Sequence, residues 1–265
     1  MIVGAGVGSG ATAKAAVAGG ADFVAYYNTA VYRIRGLPTA LSFLPYDNCN
    51  DLSRQVSSEV VTAVDGQVPI IAGIGAHDPR YSLESLITEA RYAGADGVMN
   101  EPFISIYSPE IRNQLEAAGL GFERELELLR IAKQKDMVTL GWAFDGPQAA
   151  QLARIGVTYI GLMAGMMTNE KPEEDAITSA IGSLESIAQA ALSVNPGANL
   201  LAHGGPFNST VNVKRLLKES SLNGIMTGSN GERLPLHAGV RDAIAEYKDI
   251  QPGSSFITSK EGEVL

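Results

Sequence analysis

The sequence contains few of the residues that mark secreted, disordered or fibrous proteins. Cys49 is the only cysteine among 265 residues, which excludes a disulfide within the chain and favours a reducing compartment. Charged residues make up 18% and aromatic residues 6%, whereas hydrophobic residues make up 45%. This composition excludes a disordered or coiled-coil chain. The length suits one large domain with a continuous core.

Long apolar runs and clusters of basic residues are also absent. No apolar stretch reaches the roughly 18 residues that span a bilayer. Residues 1–20 contain six glycines and no basic region, so they predict a strand, a turn and a helix rather than a signal peptide. The formal net charge of −9 argues against nucleic acid as the main partner. We therefore expect a cytoplasmic protein without a membrane or nucleic-acid partner, although a local pocket can still bind a small anion.

One pattern recurs eight times along the chain: a short apolar run, a polar or glycine-rich turn, and a helical stretch. The predicted strands are Ile2–Ala5, Asp22–Tyr27, Val68–Ile74, Asp96–Asn100, Met137–Phe144, Thr158–Met163, Asn199–His203 and Gly224–Thr227. Several are apolar without alternation, as in a parallel sheet that helices cover on its outer face. Eight such units predict an α/β fold, a (β/α)8 TIM barrel over residues 1–250 with a tail at 251–265. An open doubly wound sheet is the alternative.

In such a barrel, catalytic residues come from the carboxyl ends of different strands. His203 ends the seventh predicted strand and is predicted to act as a general acid or base, unless it is a core histidine bound to one carbonyl. Asp78 precedes Pro79 and either starts a turn or binds a metal or a substrate hydroxyl. The turns that begin at Gly204 and Gly228 are rich in glycine, so their amides either face an anion or only form tight turns.

Several segments resemble the phosphoenolpyruvate hydrolase-like TIM-barrel family, which is related in fold to the phosphoenolpyruvate mutase and isocitrate lyase superfamily. They are IVGAG, GGADFVAYYN, LPYDNCN, AGIGAHDP, GVMNEP, GLGFERELELLRIA, HGGP and GSNGERLP. The same segments resemble the C-terminal domain of a plant antiviral resistance protein. The resemblance implies a barrel and a hydrolase or lyase activity on a small phosphorylated or oxo acid. Family-like positions are Tyr27, Asn28, Arg33, Tyr46, Asp47, Asn50, Asp78, Asn100, His203, Gly204, Gly205, Ser229, Glu232 and Arg233.

The sequence departs from that superfamily at two places. The Asp-rich magnesium motif and the Lys-Cys-Gly gating loop of phosphonopyruvate enzymes are not recognisable. The fourth strand ends in Asn-Glu-Pro-Phe, where the family more usually has Asn-Phe-Pro-Thr, so Glu101 is an added acid that indicates a shifted substrate. A divalent cation such as Mg²⁺ could still be held by oxygen ligands from Asp47, Asp78, Glu101 and Asp145.

These patterns lead to a hypothesis and a rival. The hypothesis is a hydrolase or lyase in which His203 and either Asp78 or Glu101 move protons. A small anionic substrate would be bound by Tyr27, Asn28, Arg33, Asp47, Asn100, Gly204, Gly205, Gly228, Ser229 and Glu232. The rival is a non-catalytic sensor or interaction domain that binds its ligand or partner at the same carboxyl ends of the strands. A Schiff-base aldolase is less favoured, because no lysine falls inside a predicted strand. We expect the protein to self-associate.

Overall fold

The computed structural model describes residues 1–165 and 174–250. Its strands are β1 (Ile2–Val7), β2 (Phe23–Tyr26), β3 (Ile70–Gly73), β4 (Gly97–Met99), β5 (Val138–Ala143), β6 (Tyr159–Met163), β7 (Leu200–His203) and β8 (Gly224–Thr227). Each strand pairs in parallel with the next, and β8 pairs with β1 to close the barrel. The predicted TIM barrel and all eight predicted strands are confirmed, and the open-sheet alternative is wrong.

Helices follow the strands around the outside of the barrel. They are α1 (Gly10–Ala18), α2 (Asn28–Ile34), α3 (Cys49–Val64), α4 (Leu83–Tyr92), α5 (Pro109–Ala117), α6 (Phe122–Gln134), α7 (Gly146–Ile155), α8 (Glu174–Leu192), α9 (Thr210–Glu219) and α10 (Arg233–Lys248). Short 3-10 helices span Thr39–Phe43 and Ile104–Ile106. Side-chain oxygens begin several of the α-helices, because Ser9, Asn48 and Asp145 each accept a backbone N–H of the first turn.

The strands divide their side chains between two apolar clusters. Along β2, Phe23 and Ala25 point into the barrel, whereas Val24 and Tyr26 pack against the helices. Inside the barrel the ring of Phe23 occupies the space beside Gly4, where an added Cβ would lie 2.2 Å from the ring. The interior is therefore a filled core, as this fold requires. Open space is found at the carboxyl ends of the strands.

The segment between β2 and α3 differs from the prediction. The sequence pattern indicates no helix here, but Asn28–Ile34 forms α2. The prediction missed this helix because it has seven residues and no side-chain cap. Six of its residues, from Asn28 to Arg33, are buried, so tertiary packing stabilises it rather than local propensity. Arg33 is consequently held on a buried helix.

Two ranges of the chain lie outside the described residues: 166–173, with Met166 and Met167, and the predicted tail at 251–265. Within the described ranges, no helix is both long and apolar enough to cross a membrane. Helix α10 begins at Arg233, and none of its residues is buried.

Candidate functional site

A cavity of about 280 Å³ opens where the strands end. Side chains at or after the ends of β2, β4, β5, β7 and β8 line it, and the 3-10 helix Thr39–Phe43 forms one wall. Seven of the predicted site residues line this cavity: Tyr27, Arg33, Glu101, His203, Gly204, Gly228 and Ser229. The barrel therefore brings together residues that are up to 202 positions apart in sequence, from Tyr27 to Ser229.

Arg33 supplies a buried positive charge to the cavity. Its Nη2 donates to the hydroxyl of Tyr27 at 3.2 Å and to the carbonyl of Gly6 at 3.3 Å. Its Nε and Nη2 both lie 3.1 Å from Oε2 of Glu232. Among the described residues, Nη1 has no acceptor, and it lies near Gly228, where an added Cβ would be 3.7 Å away. One edge of the guanidinium is therefore fixed, and the other is available to an anion.

Glu232 holds Arg33 in place from outside the cavity. Its Oε1 accepts the backbone N–H of Gly8 and the hydroxyl of Thr12, the latter at 2.9 Å. The side chains of Arg33 and Glu232 are 2% and 1% exposed, so the two charges are paired away from water. This pair joins the turn after β1, helix α2 and the start of α10. Glu232 was predicted to bind substrate, whereas the structure places it behind Arg33.

His203 presents one ring nitrogen to the cavity. Its Nδ1 lies 2.8 Å from the carbonyl oxygen of Met226, and because a carbonyl can only accept, Nδ1 carries the hydrogen. Burial, with a smaller contribution from the Arg33 cation, lowers the pKa of His203 to about 4, although the hydrogen bond to the Met226 carbonyl opposes the fall. The imidazole is therefore neutral at pH 7, with a lone pair on Nε2. Trp142 packs beside the ring at a centroid distance of 5.2 Å.

Glu101 is the acid that lines the cavity. Its Oε1 accepts the hydroxyl of Thr29 at 2.7 Å, whereas its Oε2 is buried without a partner among the described residues. Burial raises the pKa of Glu101 to about 7, although the Thr29 hydroxyl and the Arg33 cation oppose the rise. Glu101 can therefore gain or lose a proton near neutral pH.

The rest of the cavity is largely apolar. Phe103 stacks on Phe43 at 5.7 Å and meets Phe144 and Trp142 edge-on at 4.9 and 6.4 Å. Met99, Met163 and Met226 also line the space. The Nε1 of Trp142 is buried and has no partner among the described residues. The chamber thus holds two arginines (the buried Arg33 and the half-buried Arg233), one titratable acid, one neutral base and a free N–H. This set suits a small organic acid.

Asp78 lies outside the cavity and is fully engaged. Its oxygens accept hydrogen bonds from Asn48 at 2.8 Å, from Asn50 at 3.3 Å, and from the backbone and guanidinium of Arg80 at 3.0–3.1 Å. These bonds hold the pKa of Asp78 well below its usual range, despite the opposing effect of burial. Of the two predicted acids, Glu101 alone lines the cavity, whereas Asp78 joins the turn after β3 to the start of α3.

The other predicted binding residues outside the cavity also make structural contacts. Asn100 donates to Glu125 at 2.6 Å and accepts the backbone N–H of Trp142 at 2.8 Å. Asn28 donates to the carbonyl of Ser42 at 3.0 Å. Asp47 is exposed and accepts the hydroxyl of Tyr32 at 2.8 Å.

The turns after β7 and β8 provide fewer anion-binding amides than expected. The N–H of Gly205 donates to the carbonyl of Gly165 at 2.9 Å, and that of Gly228 to Oδ1 of Asn230 at 3.2 Å. The first bond crosses to the turn after β6, and the second stays within its own turn, so neither amide is free to bind an anion.

The four acids considered as ligands for a cation do not converge. Asp145 caps α7 by accepting the N–H of Gln148 at 2.8 Å, Asp47 and Asp78 are engaged as described above, and Glu101 is alone in the cavity. In residues 1–165 and 174–250, no three histidine, cysteine, aspartate or glutamate side chains are grouped to hold a metal ion.

The chain matches a protein family and several known proteins. A model of the family described as phosphoenolpyruvate hydrolase-like matches residues 1–250. The chain belongs to the phosphoenolpyruvate hydrolase-like family. The resemblance seen in the sequence is thereby confirmed. The protein is also 29% identical over 253 residues to the ToMV susceptible protein tm-1(GCR26) of Solanum lycopersicum. That match covers 94% of this chain and 33% of the tomato protein, so the chain spans about a third of the length of this curated relative.

Solved structures of the phosphoenolpyruvate mutase and isocitrate lyase superfamily share the barrel. Phosphoenolpyruvate phosphomutase from Streptomyces platensis subsp. rosaceus has a TM-score of 0.62 at 14% identity, over 95% of this chain and 88% of that one. A phosphonopyruvate hydrolase complex with oxalate and Mg²⁺ has a TM-score of 0.62 at 13% identity, over 94% and 82%. At such low identity, these likenesses show the fold alone.

Sequence reasoning missed several residues that line the cavity of this family member. Thr29, Phe43, Phe103 and Trp142 were not predicted, although all four line it. Trp142 is the only tryptophan and lies within a predicted strand, which was a usable signal. Thr29 carried none, because the helix that orients it was not predicted. Cys49, the only cysteine in the sequence, is buried.

Proposed function

We propose that the cavity binds a small organic acid and that the protein is a hydrolase or lyase acting on a phosphorylated or oxo acid. One observation carries the proposal: the free edge of the buried Arg33 lies beside a neutral His203 in an apolar chamber. A phosphate or carboxylate would replace water at Nη1 and bind through charge-assisted hydrogen bonds. The size of the cavity limits the ligand to a few carbon atoms beyond its anionic group.

The same residues can move protons. His203 has a free lone pair on Nε2 and a low pKa, so it can take up a proton only transiently. Glu101 titrates near neutral pH and can return a proton to a leaving group or an enolate carbon. The N–H of Trp142 and the guanidinium of Arg33 are donors for the negative charge that develops on an enolate oxygen.

A divalent cation is part of the phosphonopyruvate hydrolase complex with oxalate. The described residues of this chain do not fit such an ion well, because Glu101 is the single carboxylate lining the cavity and no three ligands are grouped. A cation in the cavity would need further ligands from the substrate itself. The proton transfers above involve no metal, and Mg²⁺ is a variable in the substrate assay.

Binding without turnover is the second candidate. It is favoured by the tomato relative, because this chain corresponds to a third of a longer protein whose name concerns virus susceptibility. The cavity geometry serves either function, since Arg33 would hold the ligand in both cases. Depletion of the ligand during incubation separates the two functions.

We also propose that two or more copies associate. Helix α10 has no buried residue, and its Val240, Ile244 and Tyr247 are 57%, 62% and 73% exposed. A face of this kind is usually covered by another chain. Light scattering after gel filtration should give a mass above one chain for the protein, and Val240→Glu should lower it. A monomeric mass at micromolar concentration would contradict the proposal.

The decisive experiment incubates the protein with phosphoenolpyruvate, oxaloacetate and related acids, with Mg²⁺ or with EDTA, and follows each acid by NMR. We expect one of them to be depleted, and His203→Ala to slow that reaction by roughly 10²- to 10⁴-fold. His237→Ala is the matched control, because His237 is exposed on α10. Equal rates for His203→Ala and the unchanged protein would refute the catalytic role, and binding without depletion would favour the sensor.

A further inference from the structure

A row of three short oxygen–oxygen contacts runs from Glu101 to the wall of the cavity. Oε1 of Glu101 lies 2.7 Å from Oγ1 of Thr29, which lies 2.9 Å from Oγ of Ser42. That Oγ lies 2.7 Å from the carbonyl oxygen of Thr39. The side chains of Glu101, Thr29 and Ser42 belong to residues that are 4%, 4% and 7% exposed, so water does not substitute for these partners.

The number of hydrogens available to this row depends on Glu101. A contact of 2.7–2.9 Å between two oxygens needs one hydrogen between them. Thr29 and Ser42 contribute one hydrogen each, and the carbonyl of Thr39 contributes none. Two hydrogens cannot fill three contacts. Thr29 donates to Oε1 when Glu101 is ionised. When Glu101 is protonated on Oε1, this bond reverses and the third hydrogen is present: Oε1 donates to Thr29, Thr29 to Ser42 and Ser42 to Thr39.

A second possible acceptor for the hydroxyl of Thr29 does not remove this shortage of hydrogens. Oδ1 of Asn28 is 3.5 Å from Oγ1 of Thr29, a distance too long to compete with a contact of 2.7 Å. An ionised Glu101 would instead retain the hydrogen of Thr29 through a charge-assisted bond. Ser42 could then serve either Thr29 or Thr39, and one of these two links would be lost.

Loss of either hydrogen bond of Ser42 matters because Ser42 belongs to the 3-10 turn that forms one wall of the cavity. Pro38, Thr39 and Phe43 line the cavity from this side. The bond from Ser42 to Thr39 braces the 3-10 turn, and the bond between Ser42 and Thr29 ties that turn to α2. Deprotonation of Glu101 therefore loosens either the turn itself or its attachment to the barrel.

We infer that Thr29 and Ser42 are positioning residues that couple the protonation of Oε1 of Glu101 to closure of residues 38–43 over the cavity. In the closed state Oε2 is an acceptor without a partner. A ligand that reaches it is expected to bring a hydroxyl or enol O–H, in addition to the anionic group at Arg33. The ligand class in this inference rests on the proposed function, whereas the coupling does not.

Charged and titratable groups around Glu101 agree with a proton that exchanges near neutral pH. Arg33 on α2 favours the ionised form, whereas burial favours the protonated form and raises the pKa of Glu101 to about 7. Burial raises the pKa of Tyr27, of Cys49 to about 12, and of Glu125 to about 8. These three neighbours are therefore mostly neutral at pH 7, and Arg33 is the dominant charge that faces Glu101.

Hydrogen–deuterium exchange of the ligand-free protein tests the coupling. Protection of peptides covering residues 36–46, corrected for the intrinsic rate at each pH, is measured between pH 5.5 and 8.5. We expect protection to fall roughly fivefold as the pH rises through about 7, the effect of losing one hydrogen bond of about 1 kcal/mol. Glu101→Gln should keep protection high throughout, because its amide always carries a hydrogen to donate to Thr29.

Variants of the two hydroxyls complete the test. Thr29→Val should give low protection that no longer depends on pH, and Thr29→Ser should restore the dependence. If Thr29→Val does not fold, Ser42→Ala carries the same expectation. Ser53→Ala is the matched control, because Ser53 is equally buried and its hydroxyl bonds to the carbonyl of Cys49 at 3.0 Å. Protection that is independent of pH in the unchanged protein, or still dependent on pH in Glu101→Gln, would overturn the inference. Because no substrate is needed, this outcome is separate from failure of the proposed function.

Discussion

Glu232→Gln tests whether the buried ion pair with Arg33 holds the site together. The substitution keeps the volume of the side chain and leaves one oxygen to accept the N–H of Gly8 and the hydroxyl of Thr12. The amide nitrogen would then face Nε of Arg33, which is also a donor. Arg33 would keep its charge but lose the acceptor that lies 3.1 Å away.

The expected cost is large because both partners are almost fully buried. Removing one member of a buried ion pair typically costs about 3–5 kcal/mol, since the remaining charge is left uncompensated. Replacing both members by less polar groups of similar size is often nearly neutral. We therefore expect Glu232→Gln to lower the free energy of unfolding by about 3 kcal/mol or more, and the double variant with Arg33→Met to recover much of that loss.

Urea unfolding at pH 7, followed by tryptophan fluorescence, measures these free energies for the unchanged protein, the two single variants and the double variant. The coupling energy is the difference between the double variant and the sum of the single variants. A matched control is Arg35→Met, because the side chain of Arg35 is exposed and, among the described residues, hydrogen-bonds to Gln55 alone, at 3.0 Å. A loss below about 1 kcal/mol in Glu232→Gln, or simple additivity in the double variant, would refute the assigned role.

Three further predictions follow from the site. The folded-state pKa of Glu101 lies above its unfolded value of 4.5, so its contribution to stability is present below pH 4.5 and is lost as the pH rises to about 7. Between pH 5 and pH 8, urea unfolding should therefore show Glu101→Gln gaining about 2–3 kcal/mol of stability relative to the unchanged protein. An equal difference at both pH values would contradict this. Asp78→Asn should lower the free energy of unfolding by about 2–3 kcal/mol but leave ligand affinity in calorimetry within about twofold, and a lost affinity would show that Asp78 acts in the cavity. Gly228→Ala would place a Cβ 3.0 Å from Cε1 of His203. We therefore expect ligand affinity to fall about tenfold, with little change in the free energy of unfolding in urea. An unchanged affinity would show that the ligand binds elsewhere.

The barrel could be predicted because its causes are local and repeated. Runs such as Val68–Ile74 are apolar without alternation, and glycines such as Gly94 close the helices that precede them. Gly94 has a positive φ of 95°, which is the conformation that a short helix-to-strand turn requires. Each unit therefore carries its own signal, and eight of them specify the architecture.

The site was predicted in part for the same reason. His203 and Glu101 come at or directly after strand ends, so the fold alone brings them to the mouth of the barrel. What could not be predicted is which polar side chains are already engaged. Asp78 and Asn100 follow strands just as Glu101 does, but they are already hydrogen-bonded to Asn48 and Glu125, which lie on other elements.

The wall of the cavity was beyond sequence reasoning for a different reason. Helix α2 is short and its stability comes from burial, so no periodic pattern in the sequence indicates it. Thr29 and the link to Ser42 depend on that helix. Tertiary packing decided these elements, as it often does for helices of two turns.

The central claim is that a small organic acid binds in this cavity on the free edge of Arg33. A crystal structure of the protein soaked with oxaloacetate or phosphoenolpyruvate measures this most directly. We predict that the anionic group lies within about 3.2 Å of Nη1 of Arg33, with the remainder of the ligand between His203 and Glu101. A ligand bound at another surface, or a cavity left empty when the ligand saturates the crystal, would contradict the claim.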